Sequence, residues 1–212
     1  NYFKSAHYAD GAIGELVTRL DEEGLLDNTV LIIYGDHDAR LPRSDYNRLY
    51  NYDKETDSIL DKDDPNYKEY DSYQYELGRK VPLIIWTKDM KGTDLNKEYT
   101  NVMSMYDVEP TLGNMFGYSN EYALGHDIFD IKDENIVVFP NGNWLTNKIY
   151  YNSQKGEYLS LTEEPVTEEE IKKNNEYASE LLDVSNDIIV FDLLKEDQTD
   201  ENRVIENQEK GT

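Results

Sequence analysis

The predicted fold depends on residues 29–37, which have the sequence TVLIIYGDH. The five residues from Val30 to Tyr34 are apolar and rich in β-branched side chains, which is typical of a strand that is buried on both faces. We therefore predict an α/β fold in which this strand lies in the middle of a parallel sheet. Gly35 ends the strand, and Asp36 and His37 follow at once.

Asp36 and His37 are the candidate metal ligands. Open α/β sheets place their chemistry at the carboxyl ends of the strands, where this pair is expected. A carboxylate oxygen beside an imidazole nitrogen suits Zn²⁺ or Mn²⁺. The alternative interpretation is a strand that simply ends in a polar turn. We predict that both side chains face one cleft.

The composition is that of a folded and strongly acidic protein. Among 212 residues, 38% are hydrophobic, and 45 acidic residues against 21 basic ones give a net charge of −24. Such a surface repels nucleic acid and anionic lipid headgroups, so nucleic acid is excluded as a partner. A substrate that carries phosphate would need a local cation, which a metal ion can supply.

The chain contains no cysteine, so disulfides and thiol catalysis are excluded. It has no apolar run of eighteen residues, and it begins in a helical pattern without an initiator Met. We interpret it as part of a longer protein and expect any export signal or membrane anchor to lie upstream of Asn1.

An amphipathic helix of about six turns is predicted before the strand, ending near Gly24. Asp10 falls on its apolar stripe, where we expect a buried polar contact. His7 neighbours that stripe, and packing is favoured over metal binding for it.

An irregular, acidic segment is predicted after His37. Residues 53–76 carry nine acidic residues, three lysines and four tyrosines. They lack the Gly and the distal Glu of a calcium loop, which favours a solvated peripheral lid whose tyrosines pack on something. Arg40 is a candidate substrate contact, since its guanidinium can bind a phosphate, although it can equally balance nearby acids.

Further elements are predicted downstream. Residues 81–86 form a second buried strand in which Pro82 indicates an edge position or late pairing. Residues 106–116 form a short helix, and the loop after it carries His126, either a plain loop histidine or a substrate contact. The last elements are a meander of three strands (136–139, 144–151 and 158–162), a helix with a capping box from Thr167 to about Leu182, a helical piece over 188–194 and a polar tail from residue 197.

Several stretches together resemble one family. They are SAHYADGAIGEL, NTVLIIYGDHDA, VPLIIWTKDM, YDVEPTLGNMFG, LGHDIF and VVFPNGNWLTNKIYY. The chain resembles the C-terminal part of the lipoteichoic acid synthase-type phosphoglycerol transferases, in the sulfatase and alkaline phosphatase superfamily.

This resemblance implies a partial sulfatase-like sheet with flanking helices over residues 1–130, with the acidic excursion at about 38–80. A small antiparallel sheet and C-terminal helices follow over 131–196, and then the polar tail over 197–212. Missing upstream strands would leave an exposed strand edge.

The resemblance also implies the chemistry. In the family a metal ion, usually Mn²⁺ with Mg²⁺ or Zn²⁺ as alternatives, activates a threonine that attacks a phosphatidylglycerol-type lipid and passes glycerophosphate to a polymer. Asp36 and His37 match the family's Asp-His ligand pair. The nucleophilic threonine and a glutamate ligand belong to the upstream half, so this chain alone is expected to be inactive. The resemblance implies a location on the extracellular face of a Gram-positive membrane. The alternative function is a non-catalytic acidic domain that binds cell-wall components or another protein.

Overall fold

The computed structural model describes residues 2–90, 96–132 and 134–195. The chain divides into two compact units, Asn1–Glu98 and Tyr99–Thr212. Both combine helices with small antiparallel sheets, and the mixed helix and strand composition confirms the predicted α/β class. The predicted domain boundary at residue 130 stays a prediction.

In the described part of the first unit there are three α-helices and four strands. In chain order they are α1 (Tyr2–Glu22), β1 (Leu31–Tyr34), α2 (Arg43–Tyr50), β2 (Tyr52–Asp53), β3 (Ser58–Ile59), α3 (Ser72–Leu77) and β4 (Leu83–Trp86).

Strand β1 corrects the prediction of a buried parallel strand. It pairs antiparallel with β4 in a two-stranded sheet, with Leu31 opposite Trp86 and Tyr34 opposite Leu83. In a two-stranded sheet both strands are edges, and no residue of β1 is fully buried. Tyr34 accordingly remains 49% exposed. Because β1 is not a central strand, its position does not support Asp36 and His37 as metal ligands. That prediction depends instead on the geometry of the loop after β1.

Pro82 and Gly35 limit the β1–β4 sheet as the sequence predicts. Pairing begins late, at Leu83, and the carbonyl oxygen of Pro82 still accepts a hydrogen bond from the Gly35 N–H (3.2 Å). A Cβ at Gly35 would lie 2.7 Å from Cβ of Val81. A side chain is therefore sterically excluded at the point where β1 ends.

Helix α1 has the predicted length of about six turns, but it buries no residue. His7 and Asp10 are both exposed, so the expected buried contact of Asp10 and the packing of His7 are wrong for this structure. The reason is that α1 presents its apolar stripe without a covering element among the described residues of the unit. The chain leaves the helix through Gly24 in a left-handed conformation (φ 69°).

The acidic segment forms a small structure of its own. The β2–β3 hairpin is separate from the β1–β4 sheet, as expected for a peripheral excursion. Its tyrosines do pack: the ring of Tyr70 is stacked between Tyr46 (5.2 Å between centroids) and Tyr50 (4.8 Å). Asn51, which is fully buried, accepts from Lys68 N–H (2.7 Å) and donates to the Lys68 carbonyl (2.8 Å), fixing the segment to α2.

Within its described residues, the second unit contains two α-helices and a four-stranded antiparallel meander, where three strands were predicted. They are α4 (Val108–Phe116), β5 (Val137–Val138), β6 (Trp144–Leu145), β7 (Ile149–Asn152), β8 (Glu157–Ser160) and α5 (Glu168–Val190), and the strand order is β5-β6-β7-β8. The single strand predicted over 144–151 is two strands, because the Thr146 hydroxyl accepts from the N–H groups of Lys148 and Ile149 and closes a turn.

Helix α5 covers one face of this sheet. Its Ala178 packs with Val138, Trp144 and Ile149 in the core of the unit. The predicted capping box is present, with Thr167 at the N-cap and Glu170 three residues later. The helix continues to Val190 rather than ending near Leu182, so it absorbs the start of the separate piece predicted over 188–194. The predicted tail over 197–212 lies outside the described residues.

Candidate metal centre

The loop after β1 brings Asp36 and His37 together. Oδ1 of Asp36 lies 3.7 Å from Nε2 of His37, and the two side chains are 86% and 49% exposed. Two donors that bind one ion at about 2.1 Å each, at a tetrahedral angle, lie about 3.4 Å apart. The observed separation is close to that value, so a small movement of the exposed Asp36 side chain would allow both atoms to bind one ion.

The orientation of His37 is fixed by its other ring nitrogen. Nδ1 lies 2.6 Å from the carbonyl oxygen of Asp38. A carbonyl oxygen only accepts, so Nδ1 carries the hydrogen in this contact. In the neutral imidazole the lone pair is then on Nε2, the atom that faces Asp36. A backbone carbonyl on the distal nitrogen is the usual support of a metal-binding histidine.

Asp38 holds the loop in this shape. Its carboxylate is almost fully buried and accepts from the Arg40 N–H (2.9 Å) and from Nε of Arg79 (3.2 Å). Burial raises the pKa of the Asp38 carboxyl, but the hydrogen bonds from Arg40 and Arg79 and the charge of Arg79 outweigh it and leave the pKa below its ordinary value. The carboxylate therefore stays ionised at neutral pH.

Asp38 and Arg79 were missed in the sequence. They lie 41 positions apart. Nothing in the composition of the acidic segment indicates that Arg79 contacts the loop that carries Asp36 and His37, which we call the DH loop. The signal available in the sequence was Asp38 itself, the third residue of DHD. A carboxylate directly after a pair of metal ligands is a candidate for orienting those ligands.

The candidate substrate contact Arg40 lies in the same loop. Its side chain is exposed, and its backbone adopts a left-handed conformation (φ 51°) that the hydrogen bond to Asp38 stabilises. Its predicted contact with substrate stays a prediction.

The other candidate substrate contact, His126, lies in the second unit. Its side chain is 49% exposed, with Nδ1 4.0 Å from Oδ1 of Asp107. The Asp107 carboxylate is fully buried and accepts from the N–H groups of Ser104 (2.8 Å) and His126 (2.8 Å) and from Nδ2 of Asn135 (3.1 Å). Asp107 thus fixes the loop that carries His126, whose role toward substrate stays a prediction.

The donors present fit a divalent cation but form only part of a coordination sphere. Within residues 2–90, 96–132 and 134–195 there is no group of three or more histidine, aspartate, glutamate or cysteine side chains able to hold a metal ion. Asp36 and His37 offer one carboxylate and one imidazole. No helix in the described part of the chain is long and apolar enough to cross a membrane.

The family comparison covers this loop and the strands beside it. The Sulfatase family model matches residues 1–118, more than half of the chain, and includes β1, the DH loop, β4 and α4. The chain belongs to the sulfatase family. Members of the sulfatase superfamily are metal-dependent enzymes.

Similar proteins include several lipoteichoic acid synthases, as the sequence resemblance predicted. The chain is 30% identical over 203 residues to lipoteichoic acid synthase 2 of Bacillus subtilis (strain 168), and 30% identical over 203 residues to lipoteichoic acid synthase 1 of the same strain. It is 27% identical over 198 residues to the lipoteichoic acid synthase of Staphylococcus aureus (strain USA300). Each match covers 92% of this chain but only 28% of the relative.

Proposed function

We propose that this sulfatase-family chain is the C-terminal portion of a phosphoglycerol transferase of the lipoteichoic acid synthase type. It contributes Asp36 and His37 to a metal site that the upstream half of the same protein completes. The observation that carries the proposal is the pairing of these two donors at 3.7 Å, with His37 held through Nδ1 so that Nε2 is available. The match of this region to the Sulfatase family supports it.

The metal is proposed to be Mn²⁺, with Mg²⁺ or Zn²⁺ as alternatives, because a mixed oxygen and nitrogen pair suits these ions. When bound, such an ion lowers the pKa of an attacking hydroxyl and neutralises phosphate charge. Asp36 and His37 would bind the ion. The Asp38 carbonyl orients the His37 imidazole, and the ion pair of the Asp38 carboxylate with Arg79 holds the loop in place.

The proposed substrates are phosphatidylglycerol-type lipids, with transfer of glycerophosphate to a growing polymer. These phosphodiesters are anionic, whereas the chain carries a net charge of −24. A local cation would offset the repulsion between the substrate and the chain. The exposed guanidinium of Arg40, three residues after His37, would contribute a further positive charge. The lipoteichoic acid synthases that this chain resembles come from Bacillus subtilis and Staphylococcus aureus. We place the proposed enzyme on the extracellular face of a Gram-positive membrane, anchored by segments outside this chain.

The test uses the longer protein that contains this chain, assayed with Mn²⁺ and fluorescent phosphatidylglycerol. We expect His37→Ala and Asp36→Ala to lower turnover by about 100-fold or more, because each removes a ligand. His7→Ala is the matched control, since His7 is an exposed histidine of α1, and it should keep full turnover. Full turnover by His37→Ala would contradict the proposal.

Arg40 and His126 are tested in the same assay. A contact with the phosphodiester predicts that Arg40→Ala and His126→Ala raise KM, with a smaller effect on kcat, because each removes binding rather than a metal ligand. An unchanged KM in either variant would remove that residue from the proposed substrate site.

A further inference from the structure

A row of aromatic side chains crosses the meander of the second unit. Trp144 on β6 is directly opposite Tyr151 on β7, and Tyr151 is directly opposite Tyr158 on β8. Directly opposite residues on antiparallel strands project from the same face. Trp144 is fully buried, and Tyr158 is 49% exposed. The row therefore leads from the core to the surface.

The outer end of this row opens into a groove of about 420 Å³ between the β7–β8 hairpin and the first turns of α5. Tyr151 and Tyr158 line it on the sheet side, with Val166 and Ile171 opposite. Tyr151 is in turn stacked on Trp144, with 5.1 Å between the ring centroids and 11° between the ring planes. The site is an open groove whose aromatic floor is formed by Tyr151 and Tyr158, and its volume is within the range of small-molecule sites.

Polar groups surround this floor on the helix side. Glu168, Lys172, Asn175 and Glu176 line the groove from one face of α5, at successive spacings of four, three and one residues. Asn175 is held in place because its Oδ1 accepts from the Trp144 indole N–H (2.8 Å). Nζ of Lys172 lies 3.8 Å from Oε1 of Glu176. Donors and acceptors therefore face the groove together.

The charges limit what this groove can bind. Two carboxylates and one ammonium group line it, within a chain whose net charge is −24. A phosphate or another anion would be repelled. A neutral ligand with an apolar face and hydroxyl groups at its edge matches both the aromatic floor and the polar rim.

We propose that the groove between β7–β8 and α5 binds a neutral sugar ring. The C–H face of a pyranose carries partial positive charge and packs on the negative face of a tyrosine ring. Its hydroxyls both donate and accept, which suits the carboxylates of Glu168 and Glu176 and the amide of Asn175. Tyr158, at the open end, forms the main contact, with Tyr151 beside it on the neighbouring strand. This site is independent of Asp36, His37 and any metal ion.

The experiment observes the indole N–H resonances of the ¹⁵N-labelled chain without metal. The chain has two tryptophans, so Trp86 in the first unit serves as an internal reference, and Trp144→Phe assigns the two peaks. Methyl β-glucoside, cellobiose and di-N-acetylchitobiose are the probes. We expect a saturable shift of the Trp144 resonance with a Kd in the millimolar range for at least one sugar, and no shift of Trp86.

Variants identify the contact. Tyr158→Ala should weaken sugar binding at least tenfold, Tyr158→Phe should retain it because the ring remains, and Tyr8→Ala, an 81% exposed tyrosine of α1, should leave it unchanged. His37→Ala should also leave it unchanged, so failure here is separate from failure of the proposed metal site.

Several results would overturn the sugar site. They are no saturable Trp144 shift with any of the three sugars, unchanged affinity in a folded Tyr158→Ala chain, or a saturable Trp144 shift with glycerol 3-phosphate or tetramethylammonium but with none of the sugars.

Discussion

The Nδ1 atom of His37 lies 2.6 Å from the carbonyl oxygen of Asp38, the next residue in the chain. This contact assigns the hydrogen to Nδ1 and leaves Nε2 as the acceptor beside Asp36. The Asp38 carboxylate is in turn held by Arg79 and by the Arg40 N–H. One residue therefore orients the imidazole through its backbone and anchors the loop through its side chain.

Asp38→Asn is expected to destabilise the protein at pH 7. The amide loses the ionic hydrogen bond to Arg79, and we expect the free energy of unfolding to fall by about 1–2 kcal/mol; the half-exposed Arg79 keeps the loss below that of a fully buried pair. Urea unfolding measures this change. Asp10→Asn, an exposed carboxylate of the same unit, is the control and should change stability by less than about 0.5 kcal/mol.

The same variant should alter the pH dependence of stability. The native pKa of Asp38 is below its ordinary value of 3.8, so the native state binds fewer protons than the unfolded state in acid. The stabilisation is complete above the unfolded pKa and is lost as the pH falls through the native pKa. Asp38→Asn should therefore lose less stability than the parent between pH 6 and pH 3. Parallel pH profiles would show that Asp38 contributes nothing to the acid sensitivity.

Asp107→Ala is expected to destabilise the second unit strongly. The fully buried carboxylate accepts from two backbone N–H groups and one amide, and alanine leaves these donors without their acceptor. The loss should be about 3 kcal/mol or more. The Trp144 indole N–H resonance, followed during urea unfolding, reports it. Asp130→Ala, whose carboxylate is 73% exposed, is the control. Equal effects of the two variants would contradict the anchoring role of Asp107.

Two glycine-to-alanine substitutions should change the free energy of unfolding in opposite directions. A Cβ at Gly125 would lie 2.1 Å from the Tyr106 carbonyl oxygen, which is backbone and cannot rotate away, so Gly125→Ala should cost about 3 kcal/mol or more. A Cβ at Gly14 in α1 meets nothing within 4 Å, so Gly14→Ala should stabilise by about 0.5–1 kcal/mol through helix propensity. Thermal unfolding of both variants checks the two signs.

The chain by itself is expected to show no phosphodiesterase or transferase activity. Two metal ligands leave the remaining coordination positions to water, and we assign the nucleophile to the upstream half. The assay uses excess Mn²⁺ with a p-nitrophenyl phosphodiester and with fluorescent phosphatidylglycerol, beside a chain extended upstream. Turnover by the chain alone that disappears in His37→Ala would show that the nucleophile lies within these residues.

The sequence predicted local elements well because their signals are local. The apolar run before Gly35, the antiparallel meander and the capping box of Thr167 and Glu170 all correspond to structure. Each depends on residues within one element or one turn. The end of the strand and the donor types indicated Asp36 and His37 as ligands, and the family resemblance added their match to an Asp-His ligand pair.

Non-local features could not be read in the same way. An apolar run is compatible with a buried parallel strand and with an exposed two-stranded ribbon, and the pairing of β1 with β4 decides between them. Asp10 is exposed because no described element of its unit covers the stripe of α1. The ion pair of Asp38 with Arg79 joins residues 41 positions apart, and no spacing rule predicts it.

The most direct test of the account is a titration of this chain with Mn²⁺, observed through the imidazole proton resonances of its three histidines, His7, His37 and His126. We predict that the His37 resonance broadens first, at substoichiometric Mn²⁺, and that Asp36→Ala abolishes this preference, whereas Asp10→Ala preserves it. Equal broadening of His37 and His7, or selective broadening of His37 that persists in Asp36→Ala, would contradict the assignment of Asp36 and His37 as a joint metal site.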